Sequence, residues 1–277
     1  MKRNVFFSAM RAVVLSFCFS TFINARPMQS ETNVIKSRFQ VPFGFIRTTE
    51  ASNSFATHLR NLPLKAVGSE VKYYDGTTKN QKDVYAAVID LPIGNKDLHQ
   101  CADAVIRLRA DYFYQKKAYD QIHFNFTNGF RADYSRWKNG ERIAIKGNKT
   151  SWVKKVKPSE SYAAYWKYME TIFQYAGTAS LSKELHMVPM VEIKIGDVFI
   201  KGGFPGHAVI VVDMAIHPKT NKKLFLLAQS YMPAQELQVL KNPNNGKLSP
   251  WYELNSKITL ETPEWSFTTS ELKRFQN

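Results

Sequence analysis

Cysteine is almost missing from this 277-residue chain. One of its two cysteines, Cys18, lies in an apolar N-terminal segment, so beyond that segment Cys101 stands alone and no internal disulfide can form. Acid is scarce too: 23 Asp and Glu against 38 Lys and Arg, a formal charge of +15. The six histidines are scattered, and none joins a cluster with metal-ligand spacing. Gly202-Gly203 and Gly206 lack the Lys-Ser/Thr that completes a phosphate-binding loop. These absences leave no cofactor and no metal in the reading. There is no internal repeat, low-complexity tract, arginine-rich tail or nucleic-acid motif, so nucleic acid is not among the expected partners.

What is present begins at the N-terminus. Lys2 and Arg3 precede an apolar stretch interrupted by Arg11, and Ile23-Asn24-Ala25 has the small-residue character of a cleavage site. Residues 1–25 are therefore expected to be a secretory signal, with the product secreted or periplasmic. Phe17 before Cys18 disfavours a lipid anchor at that cysteine. No later apolar run reaches the ~20 residues a spanning helix needs. The three cations before Ala25 leave +12 on the remainder. Its basic residues are spread along the chain, which suits an anionic envelope polymer or peripheral contact with a membrane surface.

Residues 26–277 are expected to form a single domain. Phe55, Leu59 and Leu62 recur at helical spacing after Ser52 and Asn53, either of which can cap a helix. Residues 83–91 alternate as a strand does, and 98–117 carry the stripe Val105, Leu108, Tyr112 of a central helix. Residues 130–158 are polar and read as an irregular insertion or a cap. With the helix that follows, over 159–175, the insertion spans 130–185. The last third reads as strands at 198–200, 208–215, 223–228 and 235–240, spaced as an antiparallel meander. The expected class is α+β, with helices on one side of an antiparallel sheet.

Cys101 opens the central helix. A helix N-terminus lowers a thiol pKa, and Ala102 and Ala104 leave room for backbone amides to meet an oxyanion. His207 sits between a glycine-rich turn and an apolar strand, where an imidazole needs a hydrogen bond or a use. His99 neighbours Cys101, but helix positions two apart diverge, so it suits substrate contact better than proton transfer. Gln229 ends the next apolar strand and can accept from the His207 ring, fixing its tautomer. Asp213 is the second choice for that role, with Ser230 and Gln235 weaker. The aromatic residues Trp137, Trp152, Tyr162, Tyr165, Trp166 and Tyr168 read first as core and second as a sugar-stacking surface.

A thiol at a helix start facing a strand-borne histidine resembles papain-like cysteine enzymes. Gly196-Asp197-Val198-Phe199-Ile200, a glycine-containing connector and Gly206-His207-Ala208-Val209-Ile210 resemble the histidine half of NlpC-type cell-wall peptidases, over about residues 84–240. Those enzymes usually have Asp-Cys-Ser-Gly where this chain has Gln100-Cys101-Ala102-Asp103, and His207 follows 106 residues after Cys101, a longer interval than usual. Residues 228–235 and 249–252 also resemble an uncharacterised bacterial family of exported proteins, a likeness that supplies no activity. The resemblance implies a papain-like, NlpC-like fold and an exported thiol hydrolase of amide bonds in peptidoglycan stem peptides. Its residues would be Cys101 as nucleophile, His207 as base and Gln229 as orienting group, with substrate contacts at His99, Gly203 and Gly206. The alternative is a catalytically silent envelope protein that binds glycan or lipid.

Overall fold

The longest strand, His207–Ile216, buried in all but its last residue, organises the molecule. In a computed structural model, which describes Met1 and residues 33–253 and 259–276, it lies at the centre of a nine-stranded sheet. Along the sheet the order is Tyr85–Val88, Gln238–Leu240, Lys223–Gln229, His207–Ile216, Val198–Lys201, Leu272–Arg274 and His186–Met187. Ile46–Arg47 pairs with the far end of His207–Ile216, and Tyr252–Glu253 with the start of Lys223–Gln229. All these pairings are antiparallel. The run Ala208-Val209-Ile210-Val211-Val212 is apolar on both faces because both faces of this strand are covered.

Three two-stranded hairpins stand apart from this sheet: His123–Asn125 with Arg131–Asp133, Glu141–Lys146 with Lys149–Lys154, and Thr259–Glu261 with Ser266–Thr268. Among the described residues there are six α-helices, and only Cys101–Gln115 and Tyr162–Tyr175 exceed seven residues. The α+β, papain-like layout expected from the sequence is therefore corrected: the molecule is β-rich and mostly antiparallel. The physical reason lies in segments with weak periodicity. Residues 130–158 form two strands of one hairpin, a strand of another and a short helix, Tyr134–Lys138, instead of an irregular insertion. Glu141–Lys146 is half-buried along most of its length, so it shows no in-out alternation to read. Residues 178–184 form a separate short helix after Gly177.

Thr32–Asn277 forms one compact unit. The expected signal segment, 1–25, lies outside the described residues. No helix among the described residues is long and apolar enough to cross a membrane.

The helix Cys101–Gln115 packs against the central strand. It starts where the Gln100 N–H donates to the Asp103 carboxylate at 3.0 Å, closing the first turn. Every residue from Cys101 to Leu108 is buried, Arg107 included. The Arg107 guanidinium is held by the Pro92 carbonyl, Asp111 and the Trp166 ring. Tyr162–Tyr175 is capped by Ser161, whose hydroxyl accepts from the Ala164 N–H. Tyr165 and Tyr168 on this helix are fully buried and Trp137 nearly so, which makes these three part of the core.

Candidate functional site

Strand pairing decides which side chains meet. Leu227 is opposite Val211 but Leu226 is opposite Asp213, so one residue of His207–Ile216 bulges out. Before the bulge His207, Val209 and Val211 share a face with Leu227 and Gln229. After it the alternation is reversed, and Asp213 turns to the other face. There its carboxylate accepts from Arg47 at 2.7 Å, from Arg60 at 3.0 Å and from the Met214 N–H at 2.8 Å. Asp213, the second choice for orienting the imidazole, is instead the anion of a buried ion-pair cluster.

Gln229 is the partner of His207. Its Oε1 lies 2.8 Å from the imidazole Nε2. The amide cannot turn over, because its Nε2 donates to Glu264 at 2.6 Å and a carboxylate accepts only. Oε1 must therefore face the ring, and the ring must carry its proton on Nε2. That leaves Nδ1 as the free lone pair and the basic atom. Glu264 is held in turn by the buried Lys79, whose Nζ is 2.8 Å from both carboxylate oxygens. The line His207–Gln229–Glu264–Lys79 thus fixes one tautomer.

Glu264 and Lys79 were not foreseen in the sequence. Glu264 lies in the turn of the hairpin Thr259–Glu261/Ser266–Thr268, 35 residues beyond Gln229. Only its place between Pro263 and Trp265 could have drawn notice. The same hairpin covers the imidazole. Trp265 stands 5.4 Å from the His207 ring centre and Phe267 5.9 Å, and Tyr231 closes a third side at 4.7 Å. Burial among these rings pushes the imidazole down to about 4, with Gln229 pulling the other way and Lys79 adding to the fall.

Cys101 is brought to the same place from the other element. Its sulfur is faced by the N–H groups of Ala102, Ala208 and Cys101 itself, and Ala208 follows His207 directly. The thiol is also close enough to Tyr231 to act on its ionisation. Among the described residues no hydrogen bond joins the thiol to the imidazole directly. The thiol is 7% exposed and the imidazole 1%. Burial, followed by the Asp103 carboxylate, pushes Cys101 up to about 11, against the pull of the three N–H groups. At rest the site therefore holds a neutral thiol and a neutral imidazole, enclosed by aromatic rings.

His99 is fully buried, edge-on to Phe173 at 5.6 Å. Among the described residues neither ring nitrogen has a partner at hydrogen-bond geometry, and burial followed by Arg107 pushes it down to about 3, with the Gln235 backbone pulling the other way. It presents no surface to a substrate. The Ser230 hydroxyl lies 2.9 Å from the His99 carbonyl and 2.7 Å from that of Gln235, and Gln235 accepts from Gln238. Ser230 and Gln235 thus tie the Cys101 helix to the sheet rather than meeting His207.

Gly203 and Gly206 lie in the connector before His207. Gly203 has φ +119° and open space around it. A Cβ on Gly206 would stand 2.4 Å from Thr178 Oγ1, 2.5 Å from the Gly203 carbonyl oxygen and 2.8 Å from that of Lys201, so this glycine is needed for close packing. Between them Phe204 is 96% exposed. The connector is the open rim nearest the imidazole in sequence. Among the described residues no group of three or more His, Cys, Asp or Glu side chains could hold a metal ion.

A family model described as "Domain of unknown function (4846)" matches residues 35–274. No curated protein and no solved structure matches the chain.

Proposed function

The chain belongs to the family described as domain of unknown function (4846), a description that assigns no chemistry, and we propose from the site alone that it is a thiol hydrolase of amide bonds. One observation carries the reading: Gln229, locked by Glu264, holds His207 in the tautomer whose Nδ1 is free to accept a proton. A merely structural buried histidine gains nothing from leaving its basic nitrogen without a partner. The likeness of residues 196–212 to the histidine half of NlpC-type peptidases points the same way.

In this reading the substrate carbonyl enters past the Phe204 connector. The Cys101 thiol gives its proton to His207 Nδ1 as the sulfur attacks the carbonyl carbon. Backbone N–H groups at the helix start receive the oxyanion. The C–N bond breaks, the amine leaves with the proton from Nδ1, and a thioester remains. Water, deprotonated by Nδ1, then releases the acid and restores the thiol. Because both groups rest neutral, proton transfer accompanies attack and no standing thiolate precedes it. The site must also open, since the resting thiol is enclosed.

The substrate class we propose is the stem peptide of peptidoglycan, whose carboxylates suit a basic protein that keeps a formal charge of +12 (15 − 3) beyond residue 25. Export rests on the N-terminal apolar segment. The test is release of peptide from purified sacculi by the wild-type protein, Cys101→Ala and His207→Ala. Release by the wild type alone is the expected result. A Cys101→Ala protein that still releases peptide, or a wild type that releases none, overturns the proposal.

A second reading, a silent envelope-binding protein, is favoured by one observation: the enclosed thiol pushed up to about 11. It expects the wild type to bind sacculi without cleaving them, and the Cys101 peptide to resist iodoacetamide on the folded protein even near pH 10.

A further inference from the structure

Further along the Cys101 helix lies a cation to which the described residues supply aromatic rings but no hydrogen bond or ion pair. The Arg109 guanidinium carbon stands 4.5 Å from the centre of the Phe113 ring and 5.1 Å from those of Phe55 and Phe275. These rings occupy the faces of the guanidinium, but they offer nothing to its five N–H donors at the edge. Among the described residues Arg109 makes no hydrogen bond and no ion pair. The acidic groups of the neighbourhood are engaged elsewhere. Asp111 takes Arg107 and the Tyr165 hydroxyl, Asp133 takes Arg131, and Glu184 accepts from the Asn125 N–H.

Arg109 lines a cavity of about 450 Å³, the size of a small-molecule site. Arg109, His123, Arg131 and Lys183 line it, with Phe113 and Phe275 as apolar wall, and among the described residues Glu184 is the only carboxyl group in its lining. Lys183 is exposed and, among the described residues, also has no partner. Two unpaired cations, Arg109 and Lys183, and a third, Arg131, held by Asp133, stand against one described carboxyl group in the lining and next to aromatic surface, the composition of a pocket for an anion with an apolar body. Burial is felt there: it lowers the Arg109 pKa and pushes Glu184 up to about 7, so at neutral pH even that one negative charge is partly suppressed.

We propose that this cavity binds a small organic anion: an oxyanion head, carboxylate or phosphate, seated on the Arg109 edge with Lys183 beside it, and an aromatic or aliphatic body against Phe113 and Phe275. Arg109 is eight residues along the helix from Cys101, about 12 Å by the helix rise, so this site is separate from the thiol. The inference does not depend on the thiol being catalytic.

The test is calorimetric titration of the whole protein with phenyl phosphate, benzoate and the neutral isostere benzamide. Binding of at least one anion with Kd below about 1 mM, at least tenfold tighter than benzamide, is expected. Whichever anion binds tighter identifies the head group. Arg109→Gln should weaken that anion about tenfold, the loss expected for one charge-assisted contact. Lys183→Gln, an exposed change that leaves the packing alone, should weaken it about threefold, and Glu184→Gln should tighten it by a similar factor. Cys101→Ala should leave it unchanged. Failure of both anions to bind, equal binding of benzamide, or full affinity retained in both Arg109→Gln and Lys183→Gln overturns the proposal. Loss of binding in Cys101→Ala also overturns it, because the ligand would then sit at the thiol.

Discussion

Asp103 adds to the burial that raises the pKa of the thiol two residues before it. It closes the first helical turn by accepting from the Gln100 N–H, yet its second carboxylate oxygen is buried with no partner. Burial pushes its own pKa well up, and its charge when ionised pushes Cys101 up as well. Asp103→Asn keeps an acceptor for Gln100 and removes the charge. The expected result is alkylation of Cys101 by iodoacetamide at pH 8 about threefold faster or more, read by mass spectrometry on the Cys101 peptide. An unchanged pH profile would show that burial alone holds the thiol protonated. The sign for stability follows from the same shift. An acid whose folded pKa lies above its unfolded value binds more protons when folded, so the wild type loses stability as pH rises above the unfolded value. The Asn variant lacks that loss and should be the more stable form at neutral pH. At this scale the sequence was partly readable. Gln229 could be picked because it ends an apolar strand beside the one that starts with His207. Glu264 could not, because its role arises from a hairpin turn reaching Gln229 across 35 residues.

The hairpin Thr259–Glu261/Ser266–Thr268 brings Glu264, Trp265 and Phe267 to one spot, giving the imidazole its positioning group and its aromatic cover together. Trp265→Ala should admit water to the ring while leaving the Gln229 and Glu264 contacts in place. The His207 titration, followed by NMR at the imidazole Cε1 proton, should then rise from about 4 toward the ordinary value near 6.5. A titration that stays where it was would mean that Tyr231 and Phe267 suffice to exclude water. Among the elements, those with clean periodicity were legible. The strands Val198–Lys201, His207–Ile216 and Lys223–Gln229 follow continuous apolar runs, and Cys101–Gln115 follows its stripe of Val105 and Leu108. Gln238–Leu240 was legible within the strand expected at 235–240, but most of the two-residue and three-residue strands carry no periodic signal of their own. They exist because a neighbouring strand edge offers them hydrogen bonds.

For the molecule as a whole, buried neutral histidines set the acid side of stability. His99 and His207 sit at about 3 and about 4 against an ordinary value of 6.5. A base whose folded pKa is depressed binds fewer protons when folded, so stability falls as pH drops below about 6.5, down to the folded values. Asp103 and Glu184 oppose this trend, since their raised pKa values favour the folded state on the acid side. Burial lowers His58 and His123 as well, so four imidazoles outnumber the two carboxyl groups, and the melting temperature should fall by several degrees between pH 7 and pH 4. His207→Gln should shallow that slope. A flat wild-type profile, or an equally steep one in the variant, would count against two buried neutral imidazoles.

The chain by itself determined the basic charge, the solitary thiol beyond residue 25, the buried central strand and the two side chains, His207 and Gln229, that pair at its edge. These are local matters: residue type, apolar runs and the neighbour relation of successive strands. Tertiary structure alone decided the β-rich class, the bulge that sends Asp213 to the opposite face, the enclosure of Cys101 and the locking of Gln229 by Glu264. Each depends on contacts between segments far apart in sequence, and ionisation in particular follows burial, which no residue carries in its own identity.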